Sequence, residues 1–121
     1  MAADFLPIFR ALKAHLARNG TGYATLHDTP GRYSLVAAKR NAGGSPVWFG
    51  GVQIMKRYVS YHLFAIGADP ALLKSLSPGL RKRMQGKACF NLATLDEALI
   101  AELGRLTDRY RAAFEGMTFG S

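Results

Sequence analysis

The sequence has one cysteine, Cys89, and no long apolar run, and each of these shortages excludes a class of protein. A single cysteine cannot form an intramolecular disulfide, so the pattern is not that of a disulfide-stapled secreted scaffold. No stretch of about 20 uncharged apolar residues occurs, so we expect no membrane-spanning helix and no membrane partner. The N-terminal residues contain the early acid Asp4 and no basic leader, which predicts a cytoplasmic protein without a signal peptide.

Motifs for catalysis and for metal binding are also missing. The three histidines, His15, His27 and His62, are far apart and are accompanied by neither paired cysteines nor a cluster of acids. The sequence has no nucleophile elbow, and its Gly43-Gly44 pair precedes Ser-Pro and a strand, which is the wrong context for a phosphate-binding loop. We therefore expect no cofactor and no metal, and we favour a binding protein over an enzyme.

Carboxylates are absent from residues 31–68, and the positive charge is concentrated in the middle of the chain. Residues 31–93 contain ten basic residues and one acid, Asp69, whereas residues 94–121 contain five acids and three basic residues. Such a field attracts anions. The predicted partner is an anionic small molecule, a nucleic acid or an acidic protein, and the alternative is a surface whose charge serves only solubility. Nothing in the sequence indicates an oligomeric state.

The length of 121 residues, of which 49% are hydrophobic, is that of a single domain covering residues 1–121. Helical spacing of apolar residues predicts a helix over residues 5–19 and a last helix that begins at a capping box, Thr94 to Glu97, and ends near Glu115. Short helices are predicted after Asp69 and after Ser77, since each of these cap residues precedes a proline.

Strands are predicted where β-branched and aromatic residues accumulate, over residues 32–39, 47–55, 58–66 and 86–92. The resulting order, α-β-β-β-α-α-β-α, predicts an α+β fold with a small antiparallel sheet of about four strands flanked by helices.

The middle strands should form a hairpin whose turn is Lys56-Arg57, so that Gly51 faces His62 and Gln53 faces Ser60. The more apolar face would then be the core face. It comprises Trp48, Gly50, Val52, Ile54, Val59, Tyr61, Leu63 and Ala65. The opposite face would carry Phe49, Tyr58, His62 and Phe64. Lys-Arg is unusual chemistry for a two-residue turn, and a longer loop would exchange the two faces.

Candidate binding residues lie on this hairpin and on the following basic segment, which is predicted to be a short helix ending before Gly86. Basic side chains near that glycine could hold a phosphate, and aromatic side chains on an open sheet face could stack on bases. The alternatives are a solvated helix face and a sheet covered on both sides. The predicted ligand-binding residues are Lys56, Arg57, Tyr58, His62, Arg81, Lys82, Arg83 and Lys87. A second hypothesis is weak, sequence-independent binding of RNA or DNA, with an affinity that falls steeply as salt is added. In a third hypothesis, His62 is the general base of a small enzyme, with Tyr61 or Ser60 beside it.

Three segments of the sequence resemble the YdhG-like family of small bacterial domains, mostly of unassigned function. They read Val-Ser-Tyr-His-Leu-Phe over residues 59–64, Leu-Ser-Pro-Gly-Leu-Arg-Lys-Arg-Met-Gln-Gly-Lys-Ala-Cys-Phe-Asn-Leu over residues 76–92, and Asp-Glu-Ala-Leu over residues 96–99. The resemblance covers about residues 47–110 and implies an antiparallel sheet flanked by helices. One member of the family is described as a frataxin-like iron chaperone. Frataxins hold iron on an acidic ridge, whereas the first helix here has Asp4 as its only acid, so iron binding is not expected.

Overall fold

The computed structural model describes residues 5–40, 43–44, 46–86 and 88–116. Its first helix, α1, spans Leu6–Arg18 and ends at Asn19, as the apolar spacing predicts. Pro7 lies in the first turn of the helix. Backbone N–H groups there have no intrahelical acceptor, so the N–H that proline lacks costs no hydrogen bond. The buried stripe of α1 consists of Ile8, Phe9, Leu12 and Leu16. Asp4 and the other N-terminal residues lie outside the described residues.

Six strands form one antiparallel sheet, so the predicted α+β class and antiparallel pairing are confirmed. The strands are β1 (Ala24–Thr29), β2 (Arg32–Arg40), β3 (Pro46–Ile54), β4 (Val59–Leu63), β5 (Met84–Gln85) and β6 (Cys89–Leu92). Their spatial order is β1-β2-β3-β4-β6-β5. The predicted number of four strands and the predicted order of elements are wrong, because the sequence reading missed β1 and β5.

Both missed strands lack the sequence pattern on which strand prediction depends. β1 lies at an edge of the sheet and is exposed at every position except His27, so its apolar residues do not alternate. β5 lies where the basic helix was expected to continue. That helix ends at Arg81 instead, and the backbone carbonyl of Arg83 accepts a hydrogen bond from the N–H of Asn91 at 2.8 Å.

The predicted register of the β3–β4 hairpin is confirmed. Gly51 pairs with His62, Gln53 pairs with Ser60, and the Met55 N–H donates to the Tyr58 carbonyl at 2.8 Å across the Lys56-Arg57 turn. Neither Lys56 nor Arg57 has a positive φ. The turn therefore differs from the glycine-rich two-residue hairpin turns, which require a positive φ.

The remaining helices are short except for the last. A turn of 3-10 helix at Ile66–Ala68 precedes α2, which spans Ala71–Lys74. α3 spans Pro78–Arg81, and α4 spans Glu97–Glu115. Ser77 caps α3 as predicted, and its N–H and hydroxyl both donate to the Glu102 carboxylate of α4 at 2.8 and 2.6 Å. The cap of α4 is Asp96, which accepts from the Leu99 N–H, so the predicted cap at Thr94 is wrong by two residues.

None of the described helices combines the length and the apolar character needed to cross a bilayer.

The core lies between one face of the sheet and the pair formed by α1 and α4. Val52, Val59, Tyr61 and Leu63 project into it from the hairpin, as predicted. The buried hydroxyl of Thr107 donates to the Leu103 carbonyl, and therefore the Tyr61 hydroxyl is the donor in its 2.6 Å bond to Thr107. Among the described residues, no buried side-chain nitrogen or oxygen lacks a hydrogen-bond partner. Tyr61 can therefore be buried without leaving its hydroxyl unsatisfied.

The ring of His15 on α1 lies against Gly104 of α4. Nε2 of His15 donates to the Ile100 carbonyl at 2.9 Å, and Nδ1 faces the Arg18 guanidinium at 3.4 Å. A Cβ atom at position 104 would lie 2.6 Å from Cε1 of His15. Glycine is about 1 kcal/mol less favourable than alanine inside a helix, and this contact is the reason why a glycine is needed there.

We predict that Gly104→Ala destabilises the domain by about 1–2 kcal/mol, because the methyl group displaces His15 by more than the gain in helix propensity offsets. Urea unfolding of the variant, compared with wild type, measures the loss. In a His15→Ala background the same substitution should be neutral or stabilising. An equal loss in both backgrounds would show that the His15 contact is not the cause.

Candidate functional site

The sheet face opposite α1 and α4, which we call the open face, carries rows of polar side chains across the strands. The strand pairings place His27, Ser34, Gly51, His62 and Cys89 side by side in one row. The adjacent row consists of Thr29, Arg32, Gln53, Ser60 and Asn91. Neither row contains a carboxylate. The open face is therefore a polar surface whose only fixed charge within these two rows is Arg32.

A β-bulge in β3 decides which aromatic residues reach the open face. Val36 pairs with Trp48 while the preceding residue of β2, Leu35, pairs with Gly50, so β3 contains one extra residue, Phe49. Phe49 is fully buried and stacks on Tyr110 of α4, with ring centroids 4.8 Å apart. Trp48 instead contacts Phe64 on the open face, at a centroid distance of 5.1 Å.

The predicted faces of these two residues are therefore wrong: Trp48 leaves the core face and Phe49 enters it. Simple alternation along a strand cannot anticipate an inserted residue, because a bulge reverses the alternation at one point only. Gly50, the next residue, packs closely against the core, since a Cβ atom there would lie 2.8 Å from Cδ2 of Leu16.

The aromatic concavity is a recess of about 310 Å³ on the open face. Gly51 lines it between Ser34 and His62. A Cβ atom at Gly51 would lie 3.2 Å from Cβ of Ser34 and 3.8 Å from Cε2 of Phe64, so the glycine lets the Phe64 ring lie close to the strand. The ring of Phe64 is 42% exposed and stacks on the ring of His62 at 5.5 Å and 12°. The side chains that surround Gly51 are Arg32, Ser34, Trp48, Gln53, His62 and Phe64.

His62 lies at the end of a chain of hydrogen bonds that continues away from the aromatic concavity. Nδ1 of His62 is 3.3 Å from Ser60 Oγ, which is 3.0 Å from Cys89 Sγ, and that thiol donates to Asn91 Oδ1 at 3.3 Å. With the thiol proton directed to Asn91, Ser60 donates to the sulfur and Nδ1 of His62 carries a proton that it donates to Ser60. Nε2 is then the unprotonated nitrogen of the neutral ring.

This arrangement does not activate Ser60, because His62 donates to that hydroxyl and does not accept its proton. Tyr61, the other suggested partner of a catalytic His62, projects from the opposite face into the core. Burial lowers the pKa of His62 below its usual 6.5. In the part of the chain that the structure describes, no three His, Cys, Asp or Glu side chains lie close enough together to hold a metal ion.

The basic concavity is a second recess, of about 250 Å³, between the hairpin turn and the chain that leads into β5. Arg57, Lys82 and Arg83 supply its charge. Tyr58 and Asn91 also line it, and no carboxylate does. In the described chain none of the three cations forms an ion pair, so their charge is available to a ligand.

The structure thus brings four predicted site residues together, Arg57, Tyr58, Lys82 and Arg83, and separates others from them. His62 lines the aromatic concavity, four residues or about 13 Å along β4 from Tyr58. Lys56 is exposed in the hairpin turn and does not line the basic concavity. Lys87 lies outside the described residues.

The Arg81 side chain hydrogen-bonds to backbone carbonyls, a role that the sequence did not indicate. Its guanidinium donates to the carbonyls of Leu73 and Lys74, at 2.8 and 3.0 Å, and to that of Leu76 at 3.4 Å. These carbonyls lie at the C-terminal end of α2 and beyond it, where no intrahelical N–H is available to satisfy them. Arg81 therefore joins α2 to α3.

Three further site residues, Arg32, Ser34 and Gln53, were not selected from the sequence. The signal for Gln53 was present in the predicted register, because Gln53 faces Ser60 and lies on the same side as Gly51 and His62. Arg32 and Ser34 could not be added in that way, because the pairing of β2 with β3 depends on the position of the bulge.

Comparisons of this chain with protein-family models, with curated proteins and with solved structures found no match. The YdhG-like resemblance therefore stays a prediction from the sequence.

We predict that Tyr110→Phe destabilises the domain by about 1–3 kcal/mol, because the hydroxyl donates to the Phe49 carbonyl at 2.7 Å and accepts from the Ala65 N–H at 3.1 Å. The matched control is Tyr58→Phe, whose hydroxyl is on the open face and which should change stability by no more than about 0.5 kcal/mol. Urea unfolding of both variants tests this, and similar values for the two would contradict it.

We predict that stability falls as the pH is lowered from 7.5 to 5.5. The pKa of His62 is lowered by burial, and so is that of His15, where burial outweighs the bond to the Ile100 carbonyl. The unfolded chain therefore binds more protons below pH 6.5, and the stabilisation present above that pH is lost as the pH falls.

Unfolding in urea at the two pH values measures the loss, and His62→Gln should reduce it without abolishing it, because His15 remains. An NMR titration in which the His62 ring has a pKa at or above 6.5 would show this assignment to be wrong.

Proposed function

We propose that this protein is a non-enzymatic binding domain that recognises an anionic ligand on its open face. The observation that carries the proposal is the basic concavity, where Arg57, Lys82 and Arg83 converge without a carboxylate among the lining residues. Like charges held together with no counter-ion repel one another, and binding an anion relieves that repulsion. The hydroxyl of Tyr58 and the amide of Asn91 add hydrogen-bonding groups to the same recess.

Charge elsewhere in the molecule supports this choice of site. The ion pairs Lys13–Asp28, Arg18–Asp108 and Arg111–Glu115 neutralise cations of α1 and α4. The basic concavity, in contrast, has three cations and no carboxylate among its lining residues. An approaching anion is therefore attracted to this recess more strongly than to the neutralised pairs on the helices.

The enzymatic alternative has less support. A general base needs a partner whose proton it can take, and the hydrogen-bond directions around His62 make Ser60 an acceptor from the ring. No carboxylate among the described residues contacts the ring to orient it. The geometry favours His62 as part of a binding surface.

We predict that inorganic tripolyphosphate binds the protein at low ionic strength and that its affinity falls as salt is added. Lys82→Ala and Arg83→Ala should each weaken binding by up to about five-fold, since an exposed ion pair contributes up to about 1 kcal/mol. Isothermal titration calorimetry provides the measurement.

The matched controls are Lys74→Ala and Arg10→Ala, which remove the same charges from exposed positions outside both concavities. Equal weakening by the control variants would mean that net charge, and not the basic concavity, is responsible. No detectable binding at low salt would remove the proposal.

A further inference from the structure

The aromatic concavity has a composition that differs from that of the basic concavity and suits a planar ring. We propose that it binds a base of a single-stranded nucleic acid whose phosphates occupy the basic concavity. This inference rests on the proposed anion-binding function and names its ligand class.

Exposed ring surface is the first reason. Phe64 is 42% exposed, although it lies beside Trp48 and stacks on His62. A recess of about 310 Å³ lies next to these rings, and Gly51 lines it. A nucleobase is flat and stacks on aromatic side chains irrespective of its sequence, which is how many single-strand-binding proteins hold their ligand.

Polar groups around the recess are the second reason. Gln53 has both a donor and an acceptor on its amide, and Arg32 offers only donors. The hydroxyl of Ser34 is already bonded to Nδ1 of His27 at 2.6 Å, which fixes its position at the rim. Donors and acceptors placed together can satisfy the edge of any base, so the expected recognition is of single strands with little sequence preference.

The arrangement of the two concavities is the third reason. Ser60 and His62 lie on the open face of β4, and Tyr58 directly precedes this strand, so a ligand can follow β4 from one recess to the other. The distance is about 13 Å, at about 3.3 Å per strand residue. A mononucleotide can fill one recess, whereas a chain of several nucleotides places a base in one and phosphates in the other.

Charge decides between a nucleic acid and a second copy of this chain. Two copies that met through their open faces would place Arg32, Arg57 and Arg83 of both copies in one interface. Neither concavity has a carboxylate among its lining residues to offset that repulsion. A polyanion complements both recesses at once.

Trp48 provides a direct readout, because it is the only tryptophan in the sequence and lines the aromatic concavity. The full chain is titrated with an octamer of uridylate and, separately, with inorganic tripolyphosphate, and Trp48 fluorescence and calorimetric affinity are recorded for both. The octamer should quench Trp48 and bind more tightly than tripolyphosphate, which should bind without quenching.

Phe64→Ala should weaken octamer binding by roughly 5- to 150-fold and leave tripolyphosphate binding unchanged, since stacking on an aromatic residue contributes that much per base. Leu95→Ala is the control, because Leu95 is 53% exposed and lies in neither concavity. Phe64→Tyr, which keeps the ring, should retain the affinity and shows that the site is intact.

The two proposals fail in distinguishable ways. Binding of tripolyphosphate, together with an octamer that binds no more tightly and leaves Trp48 fluorescence unchanged, would overturn the nucleobase site and leave anion binding standing. Failure of both ligands to bind would overturn both proposals. A dimer in ligand-free solution that Phe64→Ala converts to a monomer would assign the aromatic concavity to a second copy and overturn the inference.

Discussion

The hydroxyl of Tyr110 connects α4 to the two strands that build the candidate site. It donates to the carbonyl of Phe49 in β3 and accepts from the N–H of Ala65, just after β4. The Phe49 carbonyl also accepts from the N–H of Phe64 at 3.2 Å. These bonds are buried, where a polar group without a partner would be costly, so they hold both strands in one position relative to the helix.

The position of the bulge follows from this contact. Phe49 enters the core and stacks on Tyr110, and T-shaped contacts with Phe114 at 5.1 Å fix its ring further. With Phe49 directed inward, Trp48 lies on the open face beside Phe64. The adjacent glycines serve opposite sides of the sheet: Gly50 makes room for Leu16 in the core, and Gly51 lets the Phe64 ring lie close to the strand beside the aromatic concavity. One packing arrangement thus shapes both faces.

Charge is divided between the same two faces. The carboxylates of Asp28, Asp108 and Glu115 pair with cations on α1 and α4. Glu102 holds the start of α3 against α4 by accepting from the N–H and hydroxyl of Ser77. The acids therefore assist the packing of helices, while the open face keeps its cations. An uncovered polar face with aromatic rings and no acid in its recesses is unusual for a surface that serves only solubility, and it is the basis for assigning binding to it.

Much of this architecture was determined by the sequence alone. The stripe of Phe9, Leu12 and Leu16 specifies α1, and the register of the hairpin follows from its two faces because a shift by one residue would expose Val52 and Tyr61. The absence of acids from residues 31–68 already marked the hairpin as an anion-attracting segment. The tertiary structure alone decided where the bulge lies, that Arg81 bonds to α2 carbonyls, and that Arg32 joins His62 in one recess. Each of these depends on contacts between residues distant in sequence, such as Phe49 with Tyr110. The local pattern of polar and apolar residues does not indicate which distant residues come into contact.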